Sequence, residues 1–187
     1  MPLLAMPCLC GGSTRPIARL AASLVLGALA ACSPALDWRQ VRPEGWGLQG
    51  AMPCLPDQQR RQLVLAGAPV ALGLVVCSAA GHSFALASAD VGDPARVAPA
   101  LLALLQAAQA NLQGQMLSEQ AVVVPGMTPH AGALRRQLAG RMPDGRAVRE
   151  QVQVFAHGLR VFQATVVGPE AGTVQAGPFF EALELPR

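Results

Sequence analysis

His82, Ser83 and Asp90 supply, close together in the chain, the residue types of a nucleophilic triad. The types alone do not make the site. Neighbouring residues on a strand point to opposite faces, and neither Ser83 nor Ser88 sits in the glycine-flanked turn that presents a nucleophile, so no catalytic residue is assigned. His82, His130 and His157 stand apart from any second histidine or carboxylate at the spacing of a zinc site. They read as solvated turn residues, and no metal or cofactor is expected. Asp90 and Asp93 bracket Val91-Gly92 and could share a calcium ion, but a turn followed by a helix cap is the simpler account. Arg135, Arg136, Arg141, Arg146 and Arg149 gather around one predicted hairpin and could grip anionic lipid headgroups or an acidic partner. The competing account is a solvated strand edge, since Glu150 lies nearby and strand alternation separates Arg135 from Arg136.

The elements that would carry these side chains follow from the spacing of apolar residues and turn formers. Gly47 to Met52 alternates and runs into Pro53-Cys54-Leu55-Pro56, where prolines stop a first strand. Strands follow at 60–65, 70–77 and 83–89, separated by Ala66-Gly67-Ala68-Pro69 and Ser78-Ala79-Ala80-Gly81, which are hairpin-sized. Asp93-Pro94 starts a helix and Gly114 stops it. Between them Val97, Leu101, Leu104, Leu105, Ala108 and Leu112 recur on one face at the 3.6-residue period. Pro99 obstructs a regular start, so the helix is expected to begin there after a preliminary turn. Strands at 115–124, 134–141, 147–156 and 159–167 come next, with Asp144-Gly145 as one turn signal, and 178–183 reads as a short terminal helix followed by a last edge at Glu184-Leu185. The expected fold is α+β: an antiparallel sheet of about seven strands, packed by one main amphipathic helix and a short C-terminal helix.

Ahead of all this, an apolar run from Leu20, behind Arg15 and Arg19, ends in Leu29-Ala30-Ala31-Cys32. That tetrapeptide resembles a bacterial lipobox. The resemblance implies a lipoprotein signal peptide over residues 1–31, cleavage before Cys32, and acylation of that cysteine as a membrane anchor. A transmembrane helix is the weaker reading, because a span needs about 20 apolar residues and Ser33-Pro34 and Asp37-Trp38-Arg39 end the run well short of that. Ser33 is not the aspartate that resembles an inner-membrane retention signal, so the resemblance points to the outer membrane, with the domain facing the periplasm. Residues 32–46, with two prolines and mixed charge, read as a lipidated tether reaching at most about 45 Å at roughly 3.3 Å per residue. Trp38 and Trp46 on it could meet the membrane interface or cap the domain. Residues 47–187 then form a single domain.

On the lipoprotein reading Cys8 and Cys10 leave with the leader and Cys32 is consumed. Cys54 and Cys77 remain, at the ends of the first and third predicted strands, and an oxidising periplasm favours pairing them in a disulfide. The formal charge of +3 on 187 residues overstates the basicity of the mature chain, since Arg15 and Arg19 leave too. Nucleic acid is not an expected partner. Only 13% of residues are charged, leaving few groups from which to build a catalytic site.

Four segments carry a second resemblance: Met52-Pro53-Cys54-Leu55-Pro56, Ser83-Phe84-Ala85-Leu86-Ala87-Ser88-Ala89-Asp90, Gly158-Leu159-Arg160-Val161-Phe162-Gln163 and Phe179-Phe180-Glu181-Ala182-Leu183-Glu184-Leu185. Their order resembles the PsbP-like α/β/α sandwich. The resemblance implies a fold and no shared catalytic residues, and its members known to act do so mainly by binding or stabilising other macromolecules. The expectation is therefore a non-enzymatic envelope lipoprotein that binds or supports an envelope protein or lipid partner. The alternative is a periplasmic carrier holding a lipid or other apolar ligand between helix and sheet.

Overall fold

The computed structural model describes residues 36–169 and 176–186. Cys32, the signal peptide and the first four residues of the expected tether lie outside the described residues. The described part is α+β. A seven-stranded antiparallel sheet is built from β3 (Asp57–Leu65), β4 (Ala68–Ala79), β5 (His82–Asp90), β6 (Gln115–Ala121), β7 (Leu134–Arg141), β8 (Ala147–His157) and β9 (Arg160–Pro169), in the order β3-β4-β5-β9-β8-β7-β6. The turns are local chemistry. Ala66-Gly67 and Ala80-Gly81 each place two successive residues at positive φ, as a two-residue hairpin loop between right-twisted strands requires. Asp144-Gly145 closes the β7–β8 hairpin, with Gly145 at φ 86°.

Asp93 accepts a hydrogen bond from the Ala95 amide at 2.8 Å and starts a 3-10 turn over Pro94–Arg96. The regular helix α1 (Val97–Asn111) follows, and Pro99 falls in its first turn, where a missing N–H costs nothing. All six apolar residues of the expected stripe are buried. They pack on one face of the sheet against Leu138, Val148, Val152, Val154 and Val161. On the opposite face Phe84, Phe155 and Phe162 meet Met52, Phe179, Phe180 and Leu183. There the aromatic rings interlock: Phe155 stacks on Phe162 at 5.1 Å, and Phe84 meets Phe179 edge-on at 5.5 Å. The cover on that side comes from the short helix α2 (Gly177–Glu181) and from a small hairpin of β1 (Arg39–Val41) and β2 (Gly50–Met52).

That hairpin corrects the expected tether. Residues 36–46 are part of the domain: Arg39 pairs with Met52 and Val41 with Gly50, and both Val41 and Trp46 are buried. Trp46 packs closely on β4 because Gly73 has no side chain. A Cβ there would come within 2.6 Å of the indole. Of the two roles open to Trp46, capping the domain is the one the structure shows. A smaller correction concerns 115–124, where the strand ends at Ala121. Beyond it the Val122 amide bonds the Ala133 carbonyl, one more step of the β6–β7 register, and Val124 joins the core from a loop.

Candidate functional site

The residues that looked capable of chemistry are not assembled with one another. His82 is buried, contrary to the solvated position expected for it, and its Nδ1 bonds the Ala80 carbonyl at 2.9 Å. Its ring fills the space that a side chain at Gly168 would occupy. Ser83 points to the other face and lies 3.2 Å from the Ser78 hydroxyl. Asp90 accepts from the Gly92 amide at 2.9 Å and so closes a turn. The remaining histidines are also loop clamps. His157 Nδ1 bonds the Gly126 carbonyl at 2.8 Å, and His130 Nδ1 accepts from the Gly132 amide at 2.8 Å. Each ring thus satisfies a backbone group that a loop would otherwise leave to water. Among the described residues, no three histidines, cysteines or carboxylates converge as metal ligands.

The arginines divide between faces, as alternation requires. Arg135 reaches Gln153 with Nε at 2.8 Å and lies over the Phe180 ring at 4.2 Å. Burial lowers the pKa of its guanidinium, opposed by the charge of Glu181. Arg136, on the other face, pairs with Glu119 at 2.6 Å. Arg141 Nη1 donates to the Gly145 carbonyl, and Arg146 pairs with Asp144 within the exposed turn. Arg149 on β8 has interactions of its own. The hairpin therefore does not present five free guanidinium groups on one surface.

A different constellation, which sequence reasoning missed, lines a cleft of about 290 Å³ on the Trp46 side of the sheet. Glu44, Trp46, Arg60, Gly73, Ser88, Asp90 and Arg160 are among the residues that line it. Arg160 donates from Nη1 to the buried Ser88 hydroxyl at 3.3 Å and lies 3.8 Å from Asp90. Two guanidinium groups face two carboxylates, so the cleft is charge-balanced and does not select an anion. Its volume is at the lower end for small-molecule sites, which run from about 300 Å³ upward. One sequence signal pointed to it: Gly73 in mid-strand marks close approach by another group.

Cys54 and Cys77 are joined in a disulfide, with an S–S distance of 2.00 Å and Cα atoms 5.8 Å apart across 23 residues of chain. The bond fastens the link between β2 and β3 to the end of β4. No described helix is long and apolar enough to cross a membrane.

No family model matches the chain, and no curated protein matches it. Among solved structures, the crystal structure of PA94, a protein of unknown function from Pseudomonas aeruginosa, is similar at 14% identity and a TM-score of 0.41, covering 72% of this chain and 84% of that one. A likeness of this degree assigns neither a fold family nor an activity.

Proposed function

We propose that this protein is a bacterial lipoprotein, anchored through Cys32 in the outer membrane, whose periplasmic domain is a PsbP-like α/β/α sandwich that binds or supports an envelope component. The observation that carries the reading is the Cys54–Cys77 disulfide. Such a bond persists in oxidising compartments and is rare in the cytosol, so it agrees with the export implied by Leu29-Ala30-Ala31-Cys32. For the sandwich, the support is one sheet covered by α1 on one face and by α2 with the β1–β2 hairpin on the other. Binding is favoured over catalysis because His82, His130, His157, Asp90 and Asp93 are all engaged in holding turns and caps. A carrier with its ligand between helix and sheet is less favoured. Ala100, Leu101 and Leu105 of α1 and Leu138, Val152 and Val154 of the sheet already fill that interface with their own side chains.

Labelling with palmitate in a bacterial host tests the proposal. Wild-type protein should take up label and sediment with membranes, and Cys32→Ala should take up none. A wild type that stays unlabelled and soluble refutes it. More than one acyl chain is expected to hold the protein stably, since a single chain binds only marginally.

A further inference from the structure

Residues 36–46 belong to the folded domain, so only residues 33–35 stand between Cys32 and the first described residue. On the lipoprotein reading proposed above, which this step requires, we infer that the open end of the β1–β2 hairpin, bearing Trp38 and Leu55, docks on the surface of the bilayer that holds the anchor.

The argument begins with reach. Four residue steps from Cys32 to Leu36 extend at most about 14 Å at 3.6 Å per residue, whereas a free tether through residue 46 would allow about 45 Å. The domain is therefore held against the headgroups by the end at which its chain emerges. That end carries apolar side chains. The Asp37 amide donates to the Pro53 carbonyl at 2.9 Å, extending the pairing beyond Arg39 and Met52. Trp38 is thereby brought alongside Pro53, with Leu55 two residues further on. Leu55 is 76% exposed and Trp38 37% exposed, although both sit beside a hairpin whose other apolar residues, Val41 and Met52, are buried.

The chemistry of the two side chains suits a lipid surface. An indole prefers the headgroup level, where its ring meets acyl chain and its N–H meets water, and a leucine adds apolar area below it. Two side chains could not hold a free domain on a membrane. Tethering removes that requirement, because a short linker keeps the bilayer at high effective concentration and lets a weak contact persist. A protein partner is the rival occupant of this patch.

The chain's two tryptophans make the test direct. Trp46 is 9% exposed and packed on Gly73, so Trp38 is the one available to lipid. Full-length lipidated protein is reconstituted in phosphatidylethanolamine–phosphatidylglycerol vesicles containing lipids brominated near the headgroup end of the acyl chain. Tryptophan emission should be quenched in the wild type, and most of that quenching should vanish in Trp38→Phe, which leaves the core untouched. Leu55→Ser should weaken it without altering flotation. Lipidated protein that floats with vesicles but is unquenched, or is quenched equally in Trp38→Phe, overturns the docking and leaves the patch to a protein partner, with the lipoprotein reading intact. Protein that carries no palmitate and fails to float overturns both.

Discussion

Glu150 is a carboxylate in an apolar place. It lies on β8 between Val148 and Val152 on the face covered by α1, opposite Leu138 on β7 and Val167 on β9, and is 5% exposed. Burial raises its pKa from the usual 4.5 to about 7. In the unfolded chain the group loses its proton near pH 4.5, while in the folded domain it keeps it until about pH 7. Over that window the unfolded state binds fewer protons, so stability falls as pH rises and levels off above pH 7. At 1.36 kcal/mol per unit, the full loss is about 3 kcal/mol, a large share of the 5–15 kcal/mol typical of a domain. Replacing Glu150 by Gln keeps the shape and removes the titration. Urea unfolding of periplasmically expressed protein with the leader and Cys32 removed, disulfide intact, should show stability dropping by about 3 kcal/mol between pH 4.5 and pH 8 with Glu150 present. In Glu150→Gln that drop should vanish, leaving the variant more stable than its parent above pH 7. The exposed Asp144, whose pKa is lowered first by a hydrogen bond from the Arg146 backbone, titrates at more acidic pH and is common to both proteins. Parallel pH profiles in the two proteins would refute the reasoning, because they would show that Glu150 ionises alike folded and unfolded.

Two further outcomes follow from the packing. Leu101, Leu104 and Leu105 of α1 are buried against the sheet, so each change to alanine should cost about 2–5 kcal/mol by thermal or urea unfolding, and unchanged stability in all three would contradict the helix face described. Denaturing alkylation of exported Cys32→Ala protein should label no thiol at Cys54 or Cys77 until reductant is added. Reduction should then cost about 2–4 kcal/mol, whereas two thiols labelled without reductant would exclude the bond.

What could be read in the chain beforehand divides along a physical line. Elements specified by their own local sequence were legible: β7 spans the expected 134–141, and the six-residue stripe of α1 lies buried as its period required. The Asp93 cap and the preliminary turn are local effects of the same kind, although the regular helix starts at Val97, two residues before the Pro99 start expected. The features that were missed depend on groups distant in sequence. β1 has three residues and exists because Gly50–Met52 is there to pair with it. Trp46 becomes a core residue only because β4 presents Gly73 beneath it. His157 is held by a carbonyl 31 residues away, so its neighbours in sequence suggest only a solvated turn. Glu150 is the sharpest case: it shares a buried face of β8 with Val148 and Val152, whereas in the sequence it figured only as a neighbour of the arginines. The same dependence decides how the candidate arginines behave. Arg135 and Arg136 are adjacent in the chain, yet one stacks on Phe180 and the other pairs with Glu119 across the sheet. A cluster of like charges in a strand is therefore divided by the pleat before any partner can meet it. Trp38 and Leu55 are not divided in this way: Trp38 stands just before β1 and Leu55 in the link after β2, outside the pleat, and both are exposed.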